Sequence, residues 1–307
     1  MTERLADISA RIDNVSQLDS VVTAMRGIAA SRAQQGRTLL AGIESYTDTI
    51  TLAISEALNF VTTSAESVDP SSDGHALIVF CAEQGFAGGL SDRMLEAVGP
   101  VAQDAHLIIV GSRGGAIANE RGLPVRRIVA MATQVGAVPG VANLIADTLY
   151  ARIIAGTINR AGILYPRLDG RHDLHIERSA LFPIEVEKFR RPKSALSPLV
   201  TLRPEKLIER LVAEYVYARL CEATMHAFAA ENQARTATMS AASTNIDRTL
   251  SELRQHEHQV RQEEVTAEIV ELAANCQSPD SACLRSLVPS GGAAWCVDPR
   301  DTSFAIK

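Results

Sequence analysis

The chain has 307 residues and a formal net charge of −6, which argues against nucleic acid as a main partner, because neutralising phosphates needs a basic excess. No apolar run approaches the eighteen or so residues of a membrane span; Leu107 to Val110 is typical of the short runs present. The five cysteines, Cys81, Cys221, Cys276, Cys283 and Cys296, have neither CxxC spacing nor an even count, so free thiols are expected in place of a disulfide framework or a zinc site.

The chain opens MTERLADISARI, which lacks the apolar core of a secretory signal and the acid-poor character of a transit peptide and so predicts a cytoplasmic location. Proline is absent from residues 1 to 69 and 205 to 278, whereas nine prolines lie between Pro70 and Pro204. Proline removes a backbone donor and clashes with the preceding helical turn, so the two ends are predicted to be long uninterrupted helices. At about 1.5 Å per residue each would run roughly 80 to 100 Å, which predicts that they pair as a shaft bracketing one middle domain.

The first helix, residues 1–60, carries Leu5, Ile8, Ile12, Val15, Leu18, Val22, Met25, Ile28, Leu39, Ile43, Tyr46, Ile50, Ile54 and Leu58 in steps of three and four, one apolar stripe of the coiled-coil kind. Between Gly27 and Gly36 small residues replace bulky ones, giving a thin stretch that a partner helix can approach closely. Thr62 to Gly74, rich in Ser, Thr and Asp, reads as a linker. The middle domain, residues 75–200, shows strand, loop and helix alternation: Ala76–Ala82 and Leu107–Val110 as strands, Val125–Met131 as a third, Val138–Ile154 as a helix, then Ala161–Leu168 and Asp173–Phe182 as a hairpin about Asp169-Gly170. That is the pattern of a parallel α/β sheet. The second long helix, residues 205–274, carries Leu207, Leu211, Tyr215, an alanine-rich middle, and then Ile246, Leu250, Leu253, Val260, Val265, Ile269 and Leu272. Residues 275–307 have proline, serine and glycine without a period and read as a disordered tail. The expected fold class is therefore α/β: a long antiparallel coiled coil of N- and C-terminal helices plus a Rossmann-like α/β middle domain.

Two loops invite a chemical reading. EQGFAGGLS, Glu83 to Ser91, follows a strand and opens a helix, where backbone amides can cradle a phosphate. Its spacing is not GxGxxG, so a tight turn using glycine for close packing is the stronger reading, and the same holds for GSRGG at Gly111 to Gly115. No GxxxxGK[ST] phosphate loop, GxSxG elbow or HExxH motif occurs in the sequence, so no catalytic residue, cofactor site or metal site is expected on this chain. His256 and His258 are two apart on a helix and do not face each other.

The second helix carries the specific information. ENQARTATMSAASTN (Glu231 to Asn245) and VRQEEVTAEIVEL (Val260 to Leu272) resemble the two C-terminal signatures of the γ subunit of F-type ATP synthases, with Glu231, Ala234, Arg235, Met239, Ala241, Ala242 and Asn245 in register in the first and Arg261, Gln262, Val265, Thr266, Glu268 and Ile269 in the second. TAMRGIAASR, Thr23 to Arg32, is similar to that family's N-terminal Ala-Met and Ala-Ala-Ser-Lys stretch. Glu83 to Ser91 is similar to its glycine turn, with Glu83 and Ser91 in place of the usual Asp and Asn, and Gly111-Ser112-Arg113-Gly114 to its Gly-Ser-Lys-Gly.

The resemblance implies a non-catalytic rotor, inserted into a hexamer of α and β subunits, with an ε subunit and a ring of c subunits at its foot. It implies a peripheral place on the cytoplasmic face of a bacterial inner membrane. It also implies that Met25, Arg32, Arg235, Gln262, Thr266 and Glu268 contact the surrounding hexamer. The alternative for the arginines is an intrahelical pair, Glu231 with Arg235 and Arg261 with Glu257 or Glu264, worth about 0.3 to 0.5 kcal/mol. Two other functional readings stand beside the rotor: a coiled-coil adaptor, which leaves the ordered signatures unexplained, and a dinucleotide-binding α/β enzyme, which leaves the proline-free ends unexplained.

Overall fold

The computed structural model describes residues 5–60, 74–102, 105–169, 174–184, 189 and 199–276. Two long helices carry the ends: α1, Leu5–Ala57, and α5, Pro204–Cys276. Pro204 and Glu205 open α5, a proline whose missing N–H has no partner to lose in a first turn and an acid that suits the helix N-terminus. The linker around Pro70, the Asp169-Gly170 turn beyond Asp169, and the tail beyond Cys276 lie outside the described residues. None of the described helices is long and apolar enough to cross a membrane.

The described residues divide into two compact units, one within residues 13–250 and one formed by residues 5–12 with 251–276. In the larger unit a five-stranded sheet has the order β3-β2-β1-β4-β5. Its strands are β1, His75–Phe80; β2, Ala105–Val110; β3, Val125–Val129; β4, Arg160–Leu168; and β5, Leu174–Phe182. The first four run parallel and β5 returns antiparallel along β4. The intervening helices are α2, Leu90–Val98; α3, Ser112–Glu120; and α4, Val138–Ile154.

The continuous apolar runs of β1 and β2 are explained by burial of both faces. Ile78, Phe80, Ile108, Val110, Ile163 and Tyr165 point into one core, shared with Ile145 and Leu149 of α4 and with Val216, Leu220 and Phe228 of α5. Leu77, Val79, Leu107 and Ile109 point into the other, against Leu90, Met94 and Leu95 of α2 and Ala118 of α3. The middle of α5 is therefore one of the layers covering the sheet, and its alanines are core residues: Ala218, Ala223, Ala227, Ala229 and Ala230 are all buried. β3 forms one edge, and its exposed Arg126 and Arg127 are the charges expected on an unpaired strand edge.

Within the same unit α1 and α5 run antiparallel, since Arg37 donates to Gln233 at 3.4 Å and the Tyr46 hydroxyl donates to Glu214 further along. Here the apolar stripe needs correction. Leu18, Ile28, Leu39 and Tyr46 are exposed, while Ala29 and Ala33 are buried. The small residues face the partner helix because they allow close approach: a Cβ added at Gly36 would stand 3.2 Å from both Ala229 Cβ and Phe228 Cδ1. In the smaller unit Ile8 and Val260 are buried and Ser9 donates to Glu257 at 2.9 Å. Beyond Val260, every residue of α5 from 261 to 274 is exposed.

Candidate functional site

The crevice at the carboxyl ends of the parallel strands is where ligands bind in doubly wound sheets, and both glycine loops lead into it. The Glu83–Ser91 turn leaves β1, and Ser91 Oγ accepts the Ala82 N–H at 3.1 Å, closing the turn onto the start of α2. The crevice is filled by side chains of the chain itself. The Glu83 carboxylate accepts the Ser112 N–H at 2.9 Å, the Ser112 hydroxyl at 2.7 Å and the Met131 N–H at 2.7 Å. It sits at the N-terminus of α3, the position an anionic ligand would take. The Glu231 carboxylate of α5 then accepts the N–H groups of Glu83 and Gln84 at 3.1 and 3.2 Å. Four amides of this crevice, those of Glu83, Gln84, Ser112 and Met131, are thus bonded to two internal carboxylates, which counts against the dinucleotide reading.

The glycines of GSRGG serve packing. Gly111 has φ +121°, and a Cβ there would lie 2.5 Å from the Cys81 carbonyl oxygen; one at Gly114 would lie 2.1 Å from Cys81 Cβ. Cys81 is buried between them, and burial pushes its thiol up to about 12, so it is an unreactive packing group at neutral pH.

Arg235 is 7% exposed. Its guanidinium donates to Glu231 at 2.6 Å, to Asn232 at 3.3 Å, and through both Nε and Nη2 to the Gly85 carbonyl at 3.3 and 3.2 Å. The intrahelical pair anticipated from the sequence is present, and the fork of the guanidinium extends it across to the glycine turn. Beside this network lies a cleft of about 440 Å³ lined by Met25, Ile28, Ala29 and Arg32 of α1, by Gln84, Gly85 and Phe86 of the turn, and by Asn232 and Arg235. Arg32 also lines a neighbouring cleft of about 550 Å³ with Gln134, Val135 and Gly136.

Three of the residues singled out from the sequence, Met25, Arg32 and Arg235, therefore meet at one place. Gln262, Thr266 and Glu268 do not join them: they lie in the smaller unit, on the exposed end of α5. There Thr266 donates back to the Gln262 carbonyl at 2.7 Å, and Gln262 and Thr266 line a surface hollow with Gln259, Glu263, Ala267 and Val270. Arg261 pairs with Glu257 at 3.3 Å. Phe86, 64% exposed at the rim of the cleft, was not anticipated as a surface group. Its position within a glycine turn was the available signal.

A second polar network lies where α1, α5 and the sheet meet. His226 of α5 is buried, stacks on Tyr165 with ring centroids 5.6 Å apart, and its Nε2 has no hydrogen-bond partner. Burial, with help from the Arg167 charge, pushes it down to about 4. Burial also raises the Glu222 carboxyl, against the opposing pull of Arg219. One ligand atom each from Glu44, Glu222 and His226 falls within 4.8 Å of the others, a set that could hold a metal ion. Arg219 already bonds Glu222 within α5 at 2.8 Å, and Arg167 of β4 lies 3.7 Å from Glu44 of α1, so both carboxylates are already engaged in ion pairs.

A family model described as ATP synthase matches residues 4–278. The ATP synthase gamma chain of Frankia casuarinae is 27% identical over 303 residues, covering 91% of this chain and 98% of that one. That of Polaromonas naphthalenivorans is 24% identical over 283 residues, covering 87% and 96%. Among solved structures, a chain of the Euglena gracilis mitochondrial ATP synthase in rotational state 3 superposes with a TM-score of 0.64 at 15% identity, covering 95% of this chain and 99% of that one. A chain of the rotor of the same enzyme in rotational state 1 gives 0.59 at 15% identity, covering 85% and 98%. At such identities the structural likeness speaks to the fold, and the fold it shares is the pair of long helices about a mixed sheet. With a family match spanning both long helices and the sheet between them, this chain belongs to the ATP synthase gamma-chain family.

Proposed function

We propose that this chain is the central-stalk rotor subunit of an F-type ATP synthase, turning within the catalytic hexamer of α and β subunits and contacting an ε subunit and the c-ring at its foot. It carries torque and leaves the chemistry of ATP to its partners. In a bacterium it would sit peripherally at the cytoplasmic face of the plasma membrane, held there through the complex.

The observation that carries this reading is the bare end of α5. Residues 261 to 274 are exposed at every position, and Val265, Ile269, Val270 and Leu272 among them are large and apolar. Contiguous apolar surface of this kind marks an interaction site, and a helix end exposed all round suits an enclosing partner. Two further features favour the mechanical role. The middle of α5 is packed into the sheet core through Val216, Leu220 and Phe228, so a force on the α/β domain is passed to the helix by close packing and not through a flexible joint. The crevice that an enzyme of this fold would use is filled by Glu83 and Glu231.

For the hexamer contacts we assign Met25 and Arg32 to the cleft face and Gln262, Thr266 and Glu268 to the exposed end of α5. Arg235 lines the cleft from beneath while its donors are engaged within the chain. Co-expression with α and β subunits from the same genome, followed by size-exclusion chromatography and an ATPase assay, tests the reading. Co-elution with activity dependent on this chain is expected; assembly of α and β with this chain left behind would overturn it.

A further inference from the structure

We propose that Arg235 and Glu231 form a latch that holds the Gln84–Phe86 turn in place beside α1, so that Arg235 acts on the hexamer contact face as a positioning residue, through the turn and not by touching a partner. The inference rests on the rotor reading for its functional consequence, though the latch itself is a property of this chain alone.

Phe86 has φ +60°, a conformation in which a bulky side chain is strained and which persists only where surrounding structure holds it. Its ring is nonetheless turned outward, with 64% exposed. The holding groups are identifiable. Glu231 takes the N–H groups of the two residues preceding Gly85, and Arg235 places two donors on the Gly85 carbonyl itself. Both latch side chains are buried and bonded to each other at 2.6 Å, and charge-assisted bonds of this type are about twice as strong as neutral ones. A third anchor, Glu83, ties the start of the turn to Ser112 and Met131. The backbone immediately before Phe86 is thereby fixed from α5 on one side and from the sheet on the other.

What the latch presents is a mixed face. Phe86 of the turn and Ile28 of α1, both exposed, line the cleft together with Met25 and Arg32 of α1. An apolar rim with one guanidinium fits a partner loop carrying aliphatic and acidic side chains. Because the hexamer must meet this face repeatedly during rotation, the place of Phe86 relative to α1 matters more than its contact with any one partner.

The test uses the full chain assembled with its α and β subunits, as wild type, Arg235→Ala, Phe86→Ala, the double variant, and Arg235→Lys, with hydrogen exchange measured on the full chain. If Arg235 acts through the turn, each single alanine lowers kcat by about fivefold with KM for ATP unchanged, and the double variant is no slower than the slower single. The amides of Glu83 and Gln84 exchange faster in Arg235→Ala while those of β1 and β2 do not. Arg235→Lys, which keeps the charge and loses the fork, falls between. Effects that multiply in the double variant, or protection of Glu83 and Gln84 unchanged in Arg235→Ala, would overturn the latch. If wild type fails to join the hexamer, the rotor reading falls, and the exchange measurement still decides the latch.

Discussion

Acidification should loosen the junction between α5 and the sheet through a single histidine. His226 has its ordinary value of 6.5 pushed down to about 4 by burial beneath Tyr165 and by Arg167. The groups facing it are Glu44 from α1, Tyr165 and Arg167 from β4, Glu177 from β5, and Arg219 and Glu222 on its own helix. Above the unfolded value both states hold the ring neutral and there is no penalty. Below it the unfolded chain binds a proton that the folded chain refuses, so stability falls as pH drops from about 6.5 to about 4. At about 1.4 kcal/mol per unit, the whole depression amounts to about 3 kcal/mol, of which about 2 kcal/mol is lost by pH 5. His226→Phe keeps a ring against Tyr165 and removes the titration. Urea unfolding followed by circular dichroism, at about pH 7.5 and about pH 5, should show wild type losing about 2 kcal/mol more than the variant between the two conditions. Parallel losses in the two proteins would refute the assignment of a neutral buried histidine.

Gly114→Ala should destabilise the domain by about 1 to 3 kcal/mol, because its Cβ would fall 2.1 Å from Cys81 Cβ and neither backbone can move freely; an unchanged urea midpoint would count against this packing. Gly36→Ala should be near neutral, with a helix-propensity gain of about 1 kcal/mol set against contacts at 3.2 Å to Ala229 and Phe228, whereas Gly36→Leu should separate the helices and lower the thermal midpoint. If both variants behave alike, the helices are not in close contact at this point. Ile269→Asp, on the bare end of α5, should change the stability of the isolated chain by less than about 0.5 kcal/mol yet weaken retention by the α/β hexamer, and equal retention on size exclusion would remove the enclosed-end argument.

Much of the architecture was legible locally. The helix Val138–Ile154 has the bounds its pattern predicts, and the third strand begins at Val125 as expected, ending at Val129 in place of Met131. β4 and β5, Arg160–Leu168 and Leu174–Phe182, begin within one residue of the expected hairpin strands and pair antiparallel. The long helices follow from proline-free sequence with apolar residues three and four apart. The candidate site was legible only in part. The signatures pointed to Met25, Arg32 and Arg235, which the fold brings to one cleft, but Phe86 and the internal work of Glu83 and Glu231 were hidden by a reading of the glycine turn as either ligand loop or simple bend.

The division has a physical cause. Periodicity, proline and glycine placement act over a few residues, so the amino-acid order by itself determined where helices and strands run and which family pattern they carry. Which face of a helix is buried depends on what approaches it: Leu18, Ile28, Leu39 and Tyr46 of the bulky stripe of α1 stay exposed, while in the thin stretch expected to admit a partner helix Ala29, Ala33 and Gly36 are buried, Gly36 against Ala229 and Phe228 of α5. In the same way Glu231 meets the Glu83 amide across 148 residues of chain, a pairing that no local rule encodes. Tertiary structure alone decided that the amides of Glu83, Gln84, Ser112 and Met131 are satisfied from within.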